Sequence, residues 1–180
     1  MKVLIKGAGD LASGIACRLY HCGMDVAMTE IGIPTTVRRT VAFSPAIYEG
    51  IAEVEGIEGI RCDSLEEMVI AVAERKIPVL EDPECQLAME WRPDVVVDAI
   101  IAKKNLGTTK EMAPLVIALG PGFTAGEDVD VVIETKRGHN LGRVIRSGSA
   151  VPNTGIPGII GGYGKERVMH AQAEGILRNV

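Results

Sequence analysis

Aromatic residues are scarce in this chain: Tyr20, Phe43, Tyr48, Trp91, Phe123 and Tyr163 are the full set. So thin a supply excludes a stacking platform for single-stranded nucleic acid. Long apolar runs are missing as well. No stretch approaches the ~18 residues that span a bilayer, and the richest, from Asp94 to Ala102, is interrupted by Asp98. The opening MKVLIKGAGD has no extended apolar core and no small-residue cleavage site, so no secretory signal is expected. The four cysteines, Cys17, Cys22, Cys62 and Cys85, show no CxxC or CxxH spacing. That argues against zinc clusters and thioredoxin-like pairs, and it predicts reduced thiols in a cytoplasmic protein with no metal site.

What is present is ordinary globular material: 180 residues, 47% hydrophobic and 24% charged, enough for one domain with a real core. The net charge of −5 makes nucleic acid a poor partner. The charge is unevenly spread. Residues 1–135 carry 12 Lys and Arg against 22 Asp and Glu, whereas residues 136–180 carry 7 against 2. Of the 21 glycines, 12 lie from Gly120 onward. A basic, glycine-rich stretch suits a small anionic ligand held by backbone amides and arginines.

The first thirty residues read as one βαβ unit. Val3 to Ile5 is a short apolar run, followed by a glycine turn. Leu11, Ile15 and Leu19 then repeat at helical steps of four, Gly23 sits where a helix-ending glycine belongs, and Val26 to Thr29 is a second strand. Ser44-Pro45 predicts a short helix with Ser44 as its cap. Glu53 to Cys62 reads as an extended piece. The sequence Ser64-Leu-Glu-Glu67 is a capping box opening a helix to Lys76, and Ile77 to Leu80 is a strand. A short helix from Glu84 to Trp91 follows. Asp94 to Ile101 is a buried central strand and Leu115 to Leu119 another. Val129 to Glu134 and Gly142 to Ile145 flank a polar turn, as in a hairpin. Val151 to Gly164 is a glycine- and proline-rich loop, and from Lys165 helix and extended tail stay open.

These elements predict an α/β fold: a Rossmann-like, mostly parallel sheet with helices on both faces, plus a C-terminal β-hairpin and a glycine-rich tail. Residues 1–164 form the domain and residues 165–180 the tail. Ligands of such sheets bind beyond the carboxyl ends of the strands.

Several candidate site residues lie there. Gly7-x-Gly9-x-x-Ala12 fits the dinucleotide fingerprint, in which Gly7 makes the turn, Gly9 admits a pyrophosphate and Ala12 keeps helix and strand close. Ser13 follows on the same turn. Glu30 ends the second strand 21 residues after Gly9, where an acidic side chain meets a ribose hydroxyl. Asp10 counts against a standard NAD site, because its charge repels a pyrophosphate unless it points away or caps the helix. Arg38 or Arg39, close behind Thr35, would meet a second phosphate. Asp98 sits inside an apolar strand, so it either anchors a loop or faces the site. Lys103 follows at the same strand's end. Gly120 and Gly122 form a second glycine loop. Arg137, Gly138, His139 and Arg143 supply an anion clamp and a neutral-pH proton shuttle. His21 is expected to be exposed and His170 structural.

Four blocks, VLIKGAGDLASGIACRL, MTEIGIPTTVRRTVAFS, ALGPGFTAGEDVDVVIETKRGHNLGRVI and SGSAVPNTGIPG, resemble the YqeB-type accessory proteins of selenium-dependent molybdenum hydroxylases. The likeness runs from about Met1 to Gly164. It implies a cytoplasmic, Rossmann-like protein that helps mature or load the molybdenum cofactor, with a hydroxylase apoenzyme as partner. XdhC-type accessory proteins are related in the same sense. The implied ligand is molybdopterin or its cytosine dinucleotide. Longer members continue into a small β-rich domain, and HAQAEGILRNV resembles the start of one, shortened here. Two other readings remain open: an NAD(P)-dependent oxidoreductase, for which no Tyr-x-x-x-Lys pair is present, and a non-catalytic escort for a hydroxylase.

Overall fold

A computed structural model of the chain describes residues 1–156, 158–168 and 172–175. The chain folds as mixed α/β around a nine-stranded, mostly parallel sheet. In chain order the elements are β1 (Lys2–Lys6), α1 (Asp10–His21), β2 (Asp25–Glu30), α2 (Ala46–Glu49), β3 (Ile51–Val54), β4 (Ile57–Cys62), α3 (Leu65–Ala73) and β5 (Ile77–Glu81). There follow β6 (Val95–Asp98), β7 (Leu115–Leu119), β8 (Thr124–Ala125), β9 (Val131–Ile133), β10 (Val144–Ile145) and β11 (Gly148–Ser149). The strand order is β10-β9-β7-β6-β1-β2-β5-β4-β3, and β8 with β11 makes a separate two-stranded piece. Only the β3–β4 and β9–β10 pairs of the large sheet are antiparallel. No helix among the described residues is long and apolar enough to cross a membrane.

Period-two alternation divides the sheet's apolar side chains between two cores. Val3, Ile5 and Met28 face α1 and α2, while Leu4, Ala27 and Val96 face α3 and the 3₁₀ turn at Ala88–Trp91. Helix α1 buries the expected stripe of Leu11, Ile15 and Leu19 only in part, with Ile15 and Leu19 half-buried against the core. Leu11 is 56% exposed, and the buried face is Ala12, Ser13, Ala16 and Cys17. Small residues there let the helix approach the strands closely, and this holds the glycine turn against the sheet.

Other sequence expectations are corrected in detail. Ser44 does not cap α2, because its hydroxyl donates to Thr36 at 2.8 Å and Pro45 occupies the cap position. The helix expected over Glu84–Trp91 shortens to the 3₁₀ turn: Asp82 takes the amides of Gln86 and Ala88, and Cys85 adopts φ +58°. The central strand expected to reach Ile101 ends at Asp98, whose carboxylate bends the chain by accepting the amide of Ile100. Helix α3 stops at Ala73, three residues early, because Arg75 turns to φ +61°. Its capping box is offset: Ser64 accepts the amide of Glu67, but the Glu67 carboxylate returns to Asp63. The helix-or-extended alternative at the tail rested on Val168, Gln172, Ile176 and Val180. Residues 176–180 and His170 lie outside the described residues, and Lys165–Arg167 forms a single 3₁₀ turn.

Candidate functional site

The carboxyl ends of β1, β2 and β6 meet where the chain, having built outward from β1 through β2 and β5, returns to the other side of β1 as β6. A cavity of about 460 Å³ opens there, lined by Gly7, Gly9, Ala12, Glu30, Arg38 and Ile100 among others. Its floor is the glycine turn. Gly7 has φ +96°, and a Cβ there would come within 3.1 Å of the Ile100 Cα, so backbone conformation and tight packing together favour glycine here without any ligand. Gly9 is different. It caps α1 at φ −69° and ψ 179°, backbone that any residue adopts. A Cβ there would meet only the Thr36 hydroxyl, at an ordinary 3.6 Å. No side chain caps the first turn of α1. A helix start without a cap leaves amide donors available at the cavity floor.

The two carboxylates at the cavity are already engaged. Glu30 accepts the amides of Ala8 and Ile31, both at 2.9 Å, so it fastens the glycine turn to the end of β2. Asp10 points toward the far wall and forms an ion pair with the exposed Arg38. That wall, residues 35–38, is tied to α2 through the Ser44–Thr36 hydroxyl contact and a 2.9 Å bond from the Tyr48 hydroxyl to the Pro34 carbonyl. Ser13 is not in the cavity. It is buried, donates to the Ala8 carbonyl and accepts the Phe43 amide at 2.8 Å, clasping helix to loop.

Beneath the site lies a buried polar row that the sequence reading found only in part. Lys6, Thr29 and Asp98 are register partners on β1, β2 and β6. Lys6 is 2% exposed and donates to the Thr108 hydroxyl at 2.7 Å, and that hydroxyl donates to Asp98 at 2.6 Å. Asp98 therefore anchors a loop and does not line the cavity. The loop is 99–108, which supplies the wall residues Ile100, Ile101 and Leu106. Lys6 was missed, although a lysine closing an apolar run just before a glycine turn is a legible signal. Thr108 carried no such signal, because its partners are 102 and 10 residues away. Cys85 sits beside Thr29, and burial pushes its thiol pKa up; burial likewise pushes that of Cys62 up to about 11.

The remaining candidates lie elsewhere. Lys103, at φ +62°, lines a second cavity of about 300 Å³ with Pro121, Thr135 and Lys136. Gly120 and Gly122 serve packing. A Cβ at Gly122 would lie 2.6 Å from the Lys104 Cα, and one at Gly120 would strike Thr135. Arg137, Gly138, His139 and Arg143 are exposed on the connection from β9 to β10 and line neither cavity. His21 is exposed, as expected.

The chain is 53% identical over 177 residues to the Escherichia coli (strain K12) protein named "Uncharacterized protein YqeB". Over the matched residues the chain is similar to this YqeB protein. The match covers 98% of the chain but 33% of the relative, so the chain spans about a third of that protein's length. No family model matches the chain. No solved structure matches it either. Among the described residues, no group of three or more His, Cys, Asp or Glu side chains is placed to hold a metal ion.

Proposed function

We propose that this protein binds a phosphorylated, nucleotide-type ligand in the cavity at the strand ends, in a Rossmann-like manner. On this reading the ligand is a phosphorylated pterin, molybdopterin or its cytosine dinucleotide, and the protein serves the maturation of a selenium-dependent molybdenum hydroxylase. The observation that carries the reading is Gly9: no neighbour and no dihedral requires a glycine there, yet its missing side chain keeps the helix start open to the cavity. The strand order supports it, because ligands of open α/β sheets lie where that order reverses. The carboxylates do not oppose it. Asp10 is matched by Arg38, and Glu30 is spent on amides.

In this reading the amides of the first turn of α1 and the Arg38 guanidinium hold the phosphate, and the walls from Thr35 to Arg38 and from Ala99 to Leu106 enclose the pterin. The cofactor supplies the redox chemistry of the recipient hydroxylase. This chain binds it and screens it from water. A handover surface is at hand: Val37 and Ile33 beside the cavity mouth are 94% and 76% exposed, and apolar patches of this kind suit protein contact. The NAD(P) reading is disfavoured because both Glu30 oxygens already accept backbone amides.

Calorimetric titration with molybdopterin, its cytosine dinucleotide and NAD(P) tests the proposal. Saturable binding of a pterin, weakened by substitution at Gly9, is the expected outcome. Binding of NAD(P) alone, or of none of the three, would overturn it.

A further inference from the structure

The second cavity differs from the first in charge. Among the described residues its walls carry Lys103, Lys136, Thr135, Asn153 and Thr154 and no acidic side chain. The first cavity carries two carboxylates against a single arginine. Neither lysine takes part in an ion pair among the described residues, where the cations in such pairs are Arg38, Arg61 and Lys76.

The nearby carboxylate, Glu134, is committed to building this pocket. It is 3% exposed and accepts the amide of Lys136 at 2.7 Å and that of Val151 at 2.8 Å. One buried side chain thus bolts together the two walls, 134–136 and 151–154. The backbone amide of Val151, ahead of those of Lys136 and Thr135, holds its carboxyl below the ordinary value. Opposite, Lys103 is kept in the left-handed region while the next residue's Cα lies against Gly122. A lysine held in that conformation costs energy that packing elsewhere must offset, and such residues concentrate at functional sites. The fold therefore spends a buried carboxylate, a glycine and a strained lysine on bringing Lys103 and Lys136, neither ion-paired among the described residues, to the walls of one cavity.

We propose that this second cavity is an anion site that takes a phosphate group between Lys103 and Lys136, with the Thr135 hydroxyl and the Asn153 amide as neutral partners. Its volume of about 300 Å³ accepts a small phosphate ester or one end of a larger phosphorylated molecule. Ile101 lines both cavities, so a ligand in one adjoins a ligand in the other. The site stands whether or not a pterin fills the first cavity.

The test is titration of the full chain with inorganic pyrophosphate, followed by amide NMR shifts and calorimetry. Shifts are expected at Thr135, Lys136, Asn153 and Thr154. Lys103→Ala and Lys136→Ala should each weaken binding about tenfold, the loss of one charge-assisted contact, and added salt should weaken it further. Both lysines are exposed, and an unchanged melting temperature separates lost binding from lost folding. In Arg38→Ala and Gly9→Asp, which act on the first cavity, the pyrophosphate-induced shifts at Thr135 and Lys136 should persist. Shifts at Thr135 and Lys136 that survive in both lysine variants, shifts confined to Gly9–Ala12, or loss of the Thr135 and Lys136 shifts in Arg38→Ala would overturn the proposal.

Discussion

The carboxylate of Glu30, at the end of β2, accepts the amide of Ala8 in the turn after β1 at 2.9 Å. A residue whose position suggests ribose recognition is thus a clasp that sets the shape of the glycine turn. Glu30→Ala leaves the Ala8 and Ile31 amides without their acceptor. The expected cost is about 1–3 kcal/mol, read by urea denaturation. Glu30→Gln keeps an acceptor and should recover part of the loss.

The buried row gives a sharper expectation. Asp98→Ala strands the Lys6 ammonium and the Thr108 hydroxyl without their carboxylate. Breaking a buried charge arrangement from one side costs about 3–5 kcal/mol. The double variant Lys6→Met/Asp98→Leu removes both charges and should be more stable than Asp98→Ala. Urea denaturation of the three proteins checks the order. If Asp98→Ala melts like the parent, the row does not hold the 99–108 loop.

Acid should loosen the second cavity first. Amide hydrogen bonds, led by that of Val151, lower the carboxyl of Glu134 below the ordinary value of 4.5. A group whose pKa is lowered by folding stabilises the native state above its unfolded value, and that stability disappears as pH falls through the folded value. Exchange protection at the Lys136 and Val151 amides should therefore fall below about pH 4, a window set by the unfolded carboxyl. In Glu134→Gln the protection should be weaker at neutral pH and flat across the acid range.

Much of the frame was legible because β1, β5, β6 and β7 are compact apolar runs bounded by glycine, proline or charge. The turn at Gly7 and Gly9 and the strand ending at Glu30 follow from spacing alone. The roles of individual residues were harder to read, because they depend on contacts across the chain. Asp10 is neutralised by Arg38, 28 residues on, and Asp98 reaches Lys6 through Thr108. Ser13 looks like a phosphate ligand in the sequence and is spent on Ala8 and Phe43. The basic cluster of Arg137, His139 and Arg143 was legible as charge. Its place on the connection between β9 and β10 was legible too, but not its position outside both cavities, which depends on contacts across the chain.

The most direct test is Gly9→Ser. Serine is a good helix cap and suits the extended backbone at this position, so stability should hold or rise by no more than about 0.5 kcal/mol. Its hydroxyl would take up first-turn amides that the ligand needs, so calorimetric affinity for the pterin should fall about tenfold or more. A folded Gly9→Ser protein that binds the pterin as the parent does would show that these amides hold no phosphate.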